Sequence, residues 1–159
     1  MDGVDMKEAQ EVYTTVCETL DMKGWRYEKH PEDLVVTFTV NGEDIPMDFV
    51  VAVDGKRMLI RLLSRLPFKF AANKRVEGSI ATNFANFKLG DGSFDYDLTD
   101  GAVTFRMTSS FRGSLISNTA VNYMFNCACA TVDDYNDSFL MISKGMLSLK
   151  DFMLGKSEG

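Results

Sequence analysis

Two periods of apolar and polar residues alternate along this chain, and the switches between them outline its elements. From residue 5 to 22, Met6, Ala9, Val12, Tyr13, Val16, Cys17 and Leu20 recur every three or four positions, the spacing of one helix face, and Gly24 follows as a stop. After a short extended piece, WRYEKH, and Pro31, the period falls to two. Leu34, Val36, Phe38 and Val40 take one side of a predicted strand, with Val35, Thr37 and Thr39 on the other. Asn41-Gly42 signals a hairpin, and the returning strand alternates Ile45, Met47, Phe49, Val51 and Val53. Pro46 has no N–H to give a ladder, which places it at that strand's start or on an unpaired side. Asp54-Gly55 turns the chain into a third strand, KRMLIRLL, with Met58, Ile60 and Leu62 inward and Arg57, Leu59, Arg61 and Leu63 on the opposite face.

Beyond Pro67 the helical period returns. Val76, Ile80, Phe84 and Phe87 form the apolar stripe of a helix expected from Ala71 to Lys88. Gly78 inside it costs roughly 1 kcal/mol against alanine and marks a close approach. A second hairpin sets Phe94, Tyr96 and Leu98 against Val103, Phe105 and Met107, closed near Asp100-Gly101. Ser117 or Asn118 caps a helix carrying Val121, Met124, Phe125 and Ala128. Thr131 or Asp133 begins another with Val132, Tyr135, Phe139, Ile142 and Met146, and SLKDF adds a last short turn. The order α-βββ-α-ββ-α describes an α+β fold, an antiparallel sheet of a three-stranded meander plus a hairpin, flanked by helices. With no internal repeat or linker, residues 1–159 read as one domain.

Composition narrows the choice of function. With 159 residues, 45% of them hydrophobic, the chain can bury a sizeable core. No apolar run approaches the roughly 20 residues that cross a bilayer, and the start is acidic rather than a basic leader. No membrane partner is expected, and the cytoplasm is the expected location. Cys17, Cys127 and Cys129, an odd number at no framework spacing, fit free thiols in a reducing compartment. His30 is the only histidine, so no metal or cofactor is expected. A net charge of −6 argues against nucleic acid. The charge is uneven, however: residues 56–75 hold seven basic residues and no acid.

The acidic stretch GDGSFDYDLTDG, residues 90–101, suggests a calcium loop. An EF-hand needs Gly at position 6 and Glu at position 12. A start at Asp91 puts Tyr96 and Ala102 there, Asp95 puts Asp100 and Arg106, and Asp97 puts Ala102 and Thr108. No register works, and the aspartates read as turn formers and a solvated strand face. Nor is an enzyme expected: SSFRGS is no nucleophile elbow, and there is no phosphate-binding glycine motif. The acid pairs Asp95/Asp97 and Asp133/Asp134 are common in any acidic protein.

In the same region the chain resembles the YbjN family of bacterial proteins. The likeness rests on Asn83 and Asn86 late in a helix, then Gly92, Phe94, Tyr96 and Asp97 in a strand, the Asp100-Gly101 turn, and Phe105-Arg106 closing the next strand. The motif spans about 30 residues, and the similar order of elements covers most of the chain. The resemblance implies a fold like that of class I type III secretion chaperones, usually dimeric, and a non-enzymatic protein that works by binding, as a chaperone or as a regulator of sensory or stress responses. The motif residues have a structural reading, the two amides satisfying backbone groups where helix meets hairpin.

Two regions stand out as candidate partner surfaces. In the basic stretch, Leu63, Arg65, Phe68, Lys69 and Phe70 interleave large apolar side chains with cations, which suits either a solvated sheet face or the docking of an acidic partner. Around Leu140, Met141 and Leu147 the C-terminal helix is apolar on more than one side, which suits deep burial or contact with a second subunit. The expectation is a homodimeric protein-binding domain that docks an apolar partner segment along sheet and helices. The alternative is a sensor holding a small ligand between sheet and C-terminal helix.

Overall fold

The alternating middle of the chain becomes a run of neighbouring strands, and the apolar faces predicted for the first and last long helices pack on one side of them. The computed structural model describes residues 3–157, with side chains from 6 to 156; the acidic start, Met1 and Asp2, lies outside them. The elements in order are α1 (Gly3–Lys23), β1 (Glu28–His30), β2 (Val35–Asn41), β3 (Pro46–Asp54), β4 (Leu59–Lys69), α2 (Arg75–Lys88), β5 (Ser93–Tyr96), β6 (Ala102–Ser110), α3 (Asn118–Ser143) and α4 (Leu149–Ser157). A single 3-10 turn, Ala72–Lys74, leads into α2.

The six strands form one antiparallel sheet in the order β1-β2-β3-β4-β6-β5. The predicted meander and hairpin are both present, but joined: β6 pairs with β4, which pushes β5 to the edge. WRYEKH contributes the opposite edge as β1. Asn41 and Pro46 are paired, so the first hairpin closes through residues 42–45, and Pro46 does open its strand. Asp133 of α3 accepts the Glu43 N–H of this turn at 3.0 Å.

Inward-facing strand residues build the core with the helices. Val36, Phe38, Met47, Phe49, Val51, Ile60, Leu62, Phe94, Val103 and Phe105 are buried, as are Val12, Val16 and Leu20 of α1 and Val121, Phe125, Val132, Phe139 and Ile142 of α3. Each such large side chain contributes about 1.5–3 kcal/mol by leaving water. Phe94 lies 5.1 Å from Phe139 and 5.5 Å from Tyr135, ring to ring, and Phe152 of α4 closes the cluster 5.9 Å from Phe139.

Three sequence expectations are corrected. First, β4 continues through Pro67 to Lys69, where the sequence suggested a connection; the register shifts between Arg65 and Lys69, an irregularity of the kind that tolerates a proline. Second, α3 is one unbroken helix of 26 residues, about 39 Å long, capped by Ser117, whose hydroxyl accepts from the Ala120 N–H at 3.2 Å. Asp133 is no cap; it faces the β2–β3 turn. Third, the stripe Val76–Ile80–Phe87 faces solvent. The buried face of α2 is Gly78, Ala81, Thr82 and Ala85. Gly78 does mark a close approach, because a Cβ there would meet Phe70 and the Tyr96 hydroxyl at 2.7 Å.

Candidate functional site, the open face of the sheet

A sheet covered by helices on one side presents every second residue of each strand on the other. Here that outer face runs through Thr37, Val50, Leu63 and Arg106 in one cross-strand row and through Val35, Ala52, Arg61 and Thr108 in the next. Apolar side chains therefore occupy the middle of the open face and arginines its β4–β6 side. Val50 is 39% exposed and Leu63 is half-buried.

Three shallow depressions adjoin across this face. One of about 600 Å³ lies beside Arg26, Tyr27, Thr37 and Thr39 and ends at Asp48 and Val50. A second of about 420 Å³ takes up from Asp48 and Val50 and runs past Pro67 and Phe68 to Arg65 and Lys69. The third, about 670 Å³, begins at Arg65 and reaches Asp95, Leu98 and Thr104. Together they form a trough across the strands from the β1 edge to the β5 edge.

Three cations of the open face and its rim are held in ion pairs. Arg61 pairs with Asp54 at 3.4 Å, Arg106 with Asp95 at 2.8 Å and Lys69 with Asp100 at 2.9 Å. Arg65 makes no ion pair among the described residues and is exposed where two depressions meet. The Lys69 ammonium, helped by the Ala102 N–H, holds the Asp100 carboxyl below its ordinary range. The hydroxyl and N–H of Thr99 do the same for Asp97. Asp91 accepts the Tyr123 hydroxyl. The aspartates of the 90–101 stretch thus bond to the protein itself, as turn and edge residues do.

The residues singled out in the sequence separate in space. Leu63 and Arg65 lie on the open face, with Phe68 half-buried and Lys69 exposed at the end of β4. Phe70 is fully buried, its N–H donating to Gly101 at 2.9 Å and its ring against Tyr96, so it is core and not contact surface. Leu140, Met141 and Leu147 are half-buried at the far end of α3 and just beyond it, in the helical layer. The sheet lies between the two groups, so they form no single surface. Among the motif residues, Asn86 bonds both backbone groups of Phe94: its Nδ2 donates to the carbonyl at 2.9 Å, and its Oδ1 accepts the N–H at 2.7 Å. Asn83 is exposed. Gly101 carries φ +78° against the Phe70 carbonyl. Val50 and Arg26 went unnoticed in the sequence, because membership of an open face depends on the strand order, which alternation alone does not give.

No helix among the described residues is long and apolar enough to cross a membrane. The fold and trough define a class, an α+β domain whose antiparallel sheet is clothed by helices on one side and bare on the other. Among solved structures this chain is similar to YbjN from E. coli, a candidate transcription regulator. The match has a TM-score of 0.55 at 8% identity and covers 79% of this chain and 91% of that one. That likeness establishes a shared fold. No family profile and no curated protein matches the sequence.

Proposed function

We propose that this chain is a non-enzymatic protein-binding domain, chaperone-like or regulatory, which docks an apolar segment of a partner across the open sheet face and works as a homodimer. The trough carries this reading. Its floor is apolar at Val50 and Phe68, it is open along its length, and the exposed Arg65, which makes no ion pair among the described residues, offers a cation to an acidic residue of the partner. A small-ligand sensor calls for an enclosed pocket between sheet and C-terminal helix. That region is filled instead by the Phe94, Tyr135, Phe139 and Phe152 rings. YbjN, described as a candidate transcription regulator, has a similar fold, which is consistent with a regulatory or binding role.

The test compares wild type with Val50→Asp and Arg65→Glu, both at exposed positions, in partner capture followed by mass spectrometry. Proteins held by wild type and released by both variants, with thermal stability unchanged, support the reading. Capture that is the same for all three forms, or none by wild type, overturns it.

A further inference from the structure

The last turn of α1 and the first turns of α3 meet over a cavity of about 310 Å³, apart from the sheet trough and at the small end of ligand pockets. Thr19, Met22 and Lys23 line it from α1, and Asn118, Thr119 and Asn122 from α3. A cation, two amides and two hydroxyls thus converge there with no carboxylate among them. Three asparagines stand four residues apart on α3, at 118, 122 and 126, the spacing of one helix face. All three turn their side-chain oxygens toward α1. Lys23 donates to Oδ1 of Asn122 at 2.8 Å and to Oδ1 of Asn126 at 2.7 Å. Thr19, only 2% exposed, shares its hydroxyl hydrogen between the Thr15 carbonyl at 2.7 Å and Oδ1 of Asn118 at 3.1 Å. The Lys23 ammonium also lies over the Trp25 indole, 4.5 Å from the ring centroid.

These neutral partners hold Lys23 half-buried and leave its charge uncancelled. It makes no ion pair among the described residues, and the carbonyl end of α1 offsets only part of a unit charge. A plain tie between the two helices would be stronger with aspartate at 122 or 126, because a charge already drawn from water gains most from an ionic partner. The chain has 23 acidic residues, yet it places amides at all three positions. With their oxygens engaged by Lys23 and Thr19, Asn118 and Asn122 still offer Nδ2, which donates to no other described residue. Lys23 keeps a third N–H. The cavity therefore presents donors and one positive charge.

We propose that this cavity binds a small organic carboxylate, its oxygens taking hydrogen bonds from Lys23 and from Nδ2 of Asn118 and Asn122. A single negative charge matches the single cation, and a carboxylate accepts about four hydrogen bonds. Its short apolar tail rests on Met22, which is otherwise 74% exposed. The site lies in the helical layer, so it goes beyond the docking of a partner on the sheet and stands or falls separately from it.

A nuclear magnetic resonance titration of the full chain tests this, with sodium butyrate as the probe. Butyramide, of the same shape without the charge, and inorganic phosphate, an anion of different geometry, are the controls. Butyrate is expected to shift the amides of residues 19–23 and 118–126 saturably, with a Kd of about 1 mM for so small a ligand. Lys23→Met keeps an apolar stem and removes the charge, and should weaken binding at least about tenfold. Asn122→Asp supplies the missing counter-charge. It should weaken butyrate to the same degree while thermal melting stays unchanged or rises, a pairing of effects that a mere tie between helices does not give. A wild type without saturable shifts, or butyrate bound equally well by Asn122→Asp, overturns the site. Equal binding of butyramide overturns the role of the charge, and equal binding of phosphate overturns the carboxylate assignment.

Discussion

Asn86 stands where a seventh strand would. β5 is an edge strand, and the backbone of Phe94 on its free side is met by the Asn86 amide, which donates at 2.9 Å and accepts at 2.7 Å, as a neighbouring strand would do. Asn86→Ala strips two partly buried backbone groups of their partners at once. A net loss of about 1 kcal/mol for each gives about 2 kcal/mol in all, or a fall in Tm of about 4–8 °C for a chain of this length. Asn86→Asp separates the two bonds. Its carboxylate can still accept from the Phe94 N–H but turns a second oxygen toward the Phe94 carbonyl, so at neutral pH the loss should at least equal that of alanine. Protonation restores a donor. The carboxyl's folded pKa is thereby raised, so the stability it recovers is present at low pH and lost as pH rises through that value. Urea unfolding at pH 7 and pH 4 reads both effects. A loss below about 0.5 kcal/mol for alanine, or an aspartate variant as stable as wild type at pH 7, refutes the account of the edge.

Other outcomes follow from the same geometry. Gly101→Ala places a Cβ 2.0 Å from the Phe70 carbonyl oxygen at φ +78°, whereas Gly24→Ala at φ +70° meets nothing within 4 Å. Thermal unfolding should show about 1–2 kcal/mol of left-handed cost for Gly24→Ala and clearly more for Gly101→Ala; equal losses would rule out the clash. The Cys129 thiol is pushed up to about 11 by burial, so its alkylation by iodoacetamide at pH 8, read by peptide mass spectrometry, should be at least about tenfold slower in the folded chain than in urea. Asp97 is held below the ordinary carboxylate range by Thr99, so its contribution is present above the unfolded value and lost as pH falls through its lowered folded one. The gap in urea midpoint between wild type and Asp97→Ala should therefore be constant near neutrality and close below about pH 4.

The strands were legible because burial on one face imprints a period of two on β2, β3 and β6. What the sequence hid has specific causes. The third strand stops at Leu63 in the sequence pattern, with the helical period returning beyond Pro67, yet the irregularity after Arg65 lets β4 run on through the proline. Thr131 and Asp133 looked like a helix start because such residues cap helices, but Asp133 serves a turn ninety residues earlier in the chain. The α2 period was right and its phase reversed: size usually marks the inward face, and here Gly78 and the alanines sit inward because Phe70 and Tyr96 leave no space. Of the candidate site, Leu63 could be found from the strand pattern and Arg65 from the run of basic residues around it. Val50 became visible only with the order of strands, and Phe70 could not be told from a surface aromatic until Gly101 was seen to bond it.

The sheet order also imposes a schedule on assembly. β2, β3 and β4 follow one another through short turns, so their ladder closes small loops and forms cheaply. The other flank of β4 must wait for β6, which arrives only after the intervening residues 70–101 have been gathered in. Until then β4, eleven residues long and rich in leucine, offers one unpaired backbone edge to any chain nearby. Crowded synthesis would thus put this protein at greatest risk of aggregation in the interval before β6 docks.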